Sequence, residues 1–110
     1  MNAFAVTPRD VLDLQNAIQT MGQAVSYITA AAPSTPRSVQ ARVRYVTATE
    51  LANAIEQYAL ELTFDARDFA SVAPLKGDSV IVDEGRRGIM QVREVRGSGQ
   101  LIAYKCGVQG

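Results

Sequence analysis

The sequence predicts a mainly β protein of the α+β kind: a small antiparallel β-barrel or sandwich of about six strands, with an N-terminal α-helix and a long protruding hairpin loop. Three observations predict it. One stretch of clear helical period opens the chain, and no later stretch is as clean. Short runs that alternate apolar and polar residues follow it. The last third is punctuated by glycine-containing turns at Gly77, Gly85–Gly88 and Gly97–Gly99. With 110 residues, the chain has room for one core, so residues 1–110 are read as a single domain.

The helix is expected over residues 7–21. Thr7 suits the N-cap, Pro8 sits at the first helical position, and Asp10 is placed to reach back to the cap. Val6 and Val11 have the spacing of a hydrophobic staple. Val11, Leu14, Ile18 and Met21 line one face with Ala17 beside them, and Gly22 ends the helix. Arg9, Asp13, Asn16 and Gln19 or Thr20 occupy the other face. A single apolar stripe needs a surface to cover, either a sheet or another subunit.

Residues 23–46 read as a long hairpin. Ala24–Thr29 is rich in β-branched and aromatic residues, so it forms the first strand. Ala31–Arg37 contains two prolines three apart and forms the loop. The next strand has Val39, Ala41, Val43 and Tyr45 on one side, and Ser38, Gln40, Arg42 and Arg44 on a polar, basic outer side.

The stretch from 47 to 65 fits two patterns. Leu51, Ile55, Tyr58, Ala59 and Leu62 fit a helix face; Tyr58, Leu60, Leu62 and Phe64 fit a strand equally well. Divided between them, it gives a helical turn near Thr49–Asn53 and a strand from about Glu56 to Asp65. From there to residue 108 a β-meander is expected. Val80–Val82 is a short strand, Glu84–Gly88 a hairpin loop, Ile89–Arg96 a strand, and Leu101–Val108 the last strand. Met90 and Val92 share one phase and Val95 takes the other, which suggests a β-bulge. Ile102, Tyr104, Cys106 and Val108 alternate against Ala103 and Lys105.

Composition narrows the chemistry. Eleven Lys+Arg balance eleven Asp+Glu, which argues against binding nucleic acid by bulk charge while leaving local basic patches. There is no His, so imidazole bases, Ser-His-Asp systems and His-ligated zinc are excluded. The lone Cys106 gives no intrachain disulfide and reads as a small core residue. No targeting or membrane-spanning stretch is seen, so a protein of the cytoplasm, a reducing compartment, is expected. Asp65 with Asp68, and Asp83 with Glu84, are the closest carboxylates in sequence, and both pairs fall at turns where Asp bonds backbone. Gly97-Ser98-Gly99 lies between strands and lacks the third glycine of a nucleotide loop. No enzyme, cofactor or metal is expected.

Two basic clusters remain: Arg42 with Arg44, and Arg86, Arg87, Arg93 and Arg96 around one hairpin. A phosphate backbone, an acidic protein surface or plain solvation each accounts for them. The loop residues Pro33, Ser34, Thr35, Pro36 and Arg37 read as a docking arm.

Residues 47–108 resemble the small head–tail joining (head-closure, head-completion) proteins of long-tailed bacteriophages. The resemblance is carried by Thr49-Glu50-Leu51, by Leu60–Phe69 with its Asp68-Phe69, by Pro74-Leu75-Lys76-Gly77-Asp78 ahead of a short apolar strand, and by Ile89–Val95 and Gly99–Tyr104. Where the family often has an aromatic before the Ile89–Val95 strand, this chain has Arg87-Gly88. The resemblance favours a strand ending at Asp65. It also implies a structural virion protein at the head–tail neck, made in the bacterial host cytoplasm. Such a protein forms a ring of identical subunits on the portal or its adaptor, closes the DNA exit and presents a surface to the tail-terminator or tail-tube protein, with packaged DNA a possible neighbour and no membrane partner. Pro33–Arg37, Arg42, Arg44, Arg86 and Arg87 are then the candidate interface or channel residues. Alternatives are a tail-terminator or other neck or minor tail protein, and a small β-barrel nucleic-acid-binding module.

Overall fold

A computed structural model describes residues 8–45 and 60–109. The expected helical turn at 49–53, residues 56–59 of the expected strand, and the Thr7 cap with its Val6 staple lie outside them. The chain runs α1 (Pro8–Met21), β1 (Gln23–Ile28), β2 (Arg37–Tyr45), β3 (Leu60–Asp65), a short 3₁₀ turn (Ala66–Phe69), β4 (Ser79–Val82), β5 (Gly85–Gly97) and β6 (Gln100–Val108). All neighbouring strands are antiparallel, and they close into a barrel in the order β1-β2-β3-β6-β5-β4, with β4 returning to β1. The choice between barrel and sandwich is thereby decided for the barrel. Closure gives every described strand a neighbour on each side, although β5 beyond Ile89 pairs with β6 alone.

The barrel interior is filled from all six strands, by residues that include Val25, Tyr27, Val39, Ala41, Leu62, Phe64, Val80, Ile89 and Cys106. Tyr27, Phe64 and Phe69 meet edge to face at centroid distances of 5.0 to 5.8 Å, and Tyr104 joins through Phe69 at 6.0 Å. Each such pair contributes about 0.5–1.5 kcal/mol beyond burial. Burial pushes the Cys106 thiol up to about 12, with a smaller push from the Asp78 charge, so this residue stays a neutral core atom.

A second, smaller core lies outside the barrel. There Val11 and Ile18 of α1 cover Ile102 and Ala103 of β6, with Leu14 and Val95 at its margin. The helical stripe therefore finds a sheet, as its amphipathicity requires. Its membership differs from the periodicity reading. Met21 is 73% exposed, while Gln15 is buried and donates to the Ile102 carbonyl at 3.1 Å. Gln19 is not on the solvent face either: its Nε2 donates to Asp65 Oδ2 at 3.1 Å and Asp68 Oδ2 at 2.8 Å. The face is rotated towards residues 15 and 19 because amides there satisfy a strand carbonyl and two carboxylates, which a Met at position 21 has no means to do. Gly22 also has a different role from a left-handed cap. A Cβ on it would lie 2.7 Å from the Ala41 carbonyl oxygen, so it is there to let the helix end touch β2.

Two register shifts correct the reading of the last strands. The extra residue in β5 is Met90, between the pairs Ile89–Val108 and Gln91–Gly107. Val95 takes the opposite phase from Val92 simply because it faces the helix. In β6, Ile102 is skipped between Val95–Ala103 and Arg96–Leu101. It therefore leaves the inward row of Tyr104, Cys106 and Val108 and packs under α1.

The expected loop at 84–88 is shorter than its glycines suggested. Gly85, Arg86, Arg87 and Gly88 pair with β4, and the turn is only Asp83-Glu84, at φ 50° and 68°. Both central residues are left-handed, the geometry that suits a two-residue hairpin and favours glycine. Glu84→Gly should therefore raise stability by about 1 kcal/mol, read as a higher urea midpoint with an unchanged slope. A loss of stability would refute the strain assignment.

Candidate functional site

The Pro74–Asp78 motif organises one end of the barrel. Asp78 N–H donates to the Leu75 carbonyl, and Gly77 takes φ 99° and donates to the Ile89 carbonyl. This turns the Asp78 carboxylate inward, where it is 3% exposed. Oδ2 accepts from the Tyr27 hydroxyl at 2.5 Å and from Leu75 N–H at 3.1 Å; Oδ1 accepts from Ala30 N–H at 2.9 Å. One carboxylate thus ties β1, the β1–β2 loop and the motif together. Burial, reinforced by the bond to Asp78 and its charge, raises the Tyr27 hydroxyl far above its ordinary value, so it remains a donor.

The loop that Asp78 anchors is made of two consecutive β-turns. Ala32 N–H donates to Thr29 O, then Thr35 N–H and Thr35 Oγ1 both donate to Ala32 O. Pro33 occupies the second position of the second turn, where its fixed φ fits, and Ser34 follows. Pro33, Ser34, Thr35 and Pro36 are all exposed. Arg37 is not part of the loop; it is the first residue of β2, paired with Tyr27. Its guanidinium lies 4.6 Å from the centroid of the Phe69 ring, a cation–π contact. Thr35, Arg37, Arg67 and Phe69 border a cavity of about 440 Å³ beside this loop.

Asp65 does the turn work expected of it. It is fully buried, caps the 3₁₀ turn by accepting from Arg67 N–H at 2.9 Å, and receives the Arg67 guanidinium at 2.7 Å. Burial alone would raise its pKa, but the hydrogen bonds from Arg67 and Gln19 outweigh burial and hold it below the usual carboxylate range. A depressed native pKa means stability that is present above the unfolded carboxylate value, about 3.9, and is lost as pH falls through the native value. Asp65→Asn should therefore lower the thermal midpoint at pH 7 and flatten its decline below about pH 4. Parallel acid limbs in the two proteins would refute this.

The basic residues group differently from their order in sequence. Register sets Arg42 opposite Thr63, Thr63 opposite Lys105, and Lys105 opposite Arg93. A row of outward side chains with three cations therefore crosses β2, β3, β6 and β5. Next to it, Glu61 bridges Arg44 at 3.5 Å and Arg93 at 3.6 Å. Arg96 pairs with Glu94 at 2.6 Å. Arg93 thus belongs with Arg42, Arg44 and Lys105 on one wall, not with Arg86 and Arg87 at the β4–β5 hairpin. Lys105 was missed because adjacency across strands depends on register, which no local pattern in one strand reveals.

Arg86 and Arg87 do not form a joint patch. They are consecutive in a strand and point to opposite faces. Arg86 is exposed; Arg87 is half-buried and its Nη1 donates to the Gln109 carbonyl at 3.1 Å. At the same hairpin, Asp83 accepts from the Tyr45 hydroxyl and, at 3.4 Å, from Gln23 Nε2. The Tyr45–Asp83 hydrogen bond, and the Asp83 charge, raise the Tyr45 pKa.

The candidate residues therefore fall into three separate places: the double-turn loop, the four-strand wall, and the β4–β5 hairpin. Among the described residues, no helix is long and apolar enough to cross a membrane. No protein-family model matches the chain, and no curated protein matches it.

Proposed function

We propose that this protein is a non-enzymatic structural subunit that joins a bacteriophage head to its tail, working as a ring of identical copies at the neck of the virion. The observation that carries the reading is the Pro74–Asp78 motif leading into the β-meander, since this is the most specific part of the resemblance and its Asp78 is what anchors the exposed loop at residues 29–36. A ring needs two different surfaces on each subunit. The loop, the cationic wall and the outer side of α1 supply distinct candidates. In this role the partners are other copies of the chain, a portal or adaptor protein on the head side, and a tail-terminator or tail-tube protein on the other, with packaged DNA in the channel.

The test is to add the purified protein to filled, tailless capsids and score tail attachment and infectivity. Attachment supports the joining role; capsids that bind no protein and gain no tails overturn it. A variant with residues 31–36 replaced by Gly-Gly retains Ala30 and Arg37, the residues that bond Asp78 and stack on Phe69. It should stay folded, with a thermal midpoint within a few degrees of the parent, and lose attachment. Unchanged attachment would reject the loop as a docking arm.

A second reading, a small β-barrel nucleic-acid-binding module, is favoured by one observation, the row Arg42–Thr63–Lys105–Arg93. Three phosphate contacts there predict an affinity for duplex DNA that falls with salt at a logarithmic slope of about −2.7.

A further inference from the structure

We infer that the groove between α1 and the cationic wall is a docking site for an acidic amphipathic helix of a partner protein. The groove has a volume of about 450 Å³. Its floor is apolar, made by the partly exposed Leu14 of α1 and Val95 of the wall, with Ala103 buried beneath them. Its rim is cationic: Arg42 and Lys105 flank Thr63, while Arg44 stands two register pairs away opposite Glu61.

The charges on this wall are unevenly satisfied. Glu61 is shared between Arg44 and Arg93. Among the described residues, the side chains of Arg42 and Lys105 have no ion-pair or hydrogen-bond partner. Two unpaired cations therefore stand over an apolar floor, and their complement is a pair of carboxylates flanking apolar side chains. Spacing selects the helix. Arg42 and Lys105 are two strands apart, about 9.6 Å. Carboxylates seven residues apart on one helix face are about 10.5 Å apart, with the intervening third and fourth positions on the same face to fill the floor.

A nucleic-acid backbone fits the same cations less well. It has no apolar group for Leu14 and Val95. The inference rests on the proposed joining role only for where the partner is found, on the head or tail side of the neck.

The experiment uses the full chain, ¹⁵N-labelled, and a synthetic amphipathic helix carrying glutamates seven apart with leucines at the third and fourth positions between them. The expected result is saturable shifts confined to the amides around Thr63, Val95, Ala103 and Lys105. Arg42→Glu with Lys105→Glu should weaken binding at least tenfold. Both positions are on the barrel exterior, and an unchanged thermal midpoint verifies folding. Lys105→Arg, which keeps the charge, should bind within about twofold of the parent. No shifts at millimolar peptide, equal shifts with a lysine-for-glutamate peptide, or shifts at these amides with duplex DNA instead of peptide would each overturn the inference. So would self-association that the double charge reversal abolishes, because it assigns the groove to a second copy. The two proposals fail separately. Peptide binding without tail attachment sinks the joining role alone, and tail attachment unaffected by the double reversal sinks the groove alone.

Discussion

Asp78→Ala should lower the unfolding free energy by about 3–4 kcal/mol, a large share of what a domain of this size has to lose. The substitution removes the acceptor of the Tyr27 hydroxyl, Ala30 N–H and Leu75 N–H in one step. Leaving a buried donor without an acceptor costs about 1–3 kcal/mol each, and part of that is recovered where the two loops reach water. Asp78→Asn should be milder, because its amide oxygen still accepts on one side. Tyr27→Phe removes the hydroxyl and keeps the ring packed on Phe64 and Phe69. The Tyr27–Asp78 double-mutant cycle should therefore show coupling of about 1–2 kcal/mol. Urea unfolding reads the energies, and hydrogen exchange reads the place: protection of the Ala30 and Leu75 amides should be lost ahead of the strand amides. A loss below about 1 kcal/mol for Asp78→Ala would mean that this carboxylate is not what holds the loop.

Gly22→Ala is expected to cost about 3 kcal/mol, and Gly99→Ala about 1 kcal/mol. The order matters more than either value, because the two glycines are needed for different reasons. Gly99 has φ 72° and open space around it, so an alanine there meets only backbone strain. At Gly22 the new methyl would lie 2.4 Å from the Ile18 carbonyl oxygen and 2.9 Å from the Ala41 carbonyl carbon. Both neighbours are backbone, so neither can step aside as a side chain would. The end of α1 must lift from β2, and Val11 and Ile18 then lose their cover over Ile102. Thermal unfolding of both variants, with hydrogen exchange across α1, tests this. Equal costs would put Gly22 in the same class as a turn glycine.

The helix, the hairpin at 23–46 and the strands after Gly77 are legible because each is a local pattern: a period of 3.6, a period of 2, or a turn residue. What the sequence hides is what depends on distant partners. Gln19 reads as polar surface and Gln15 falls outside the apolar stripe, yet each is turned inward by a carbonyl or carboxylate 46 or more residues away. Ile102 alternates correctly with Tyr104 until a register shift turns it outward. The same limit governs the site. Arg42 and Arg44 are visible as the outer side of one strand, but their company with Lys105 and Arg93 is a property of four strands in register. Arg86 and Arg87 illustrate the converse, since neighbours in a list of residues become opposite faces once the segment is a strand rather than a loop.

Closure of the six-stranded ring has a consequence for any crowded assembly of this protein. Copies held side by side at high local concentration meet strands that already have a neighbour on each side, which limits the open edge on which one copy can template another, the usual route from packed β-proteins to irreversible fibres. Their grip on neighbours then comes mainly from side chains, so it is made and released without any strand leaving its home.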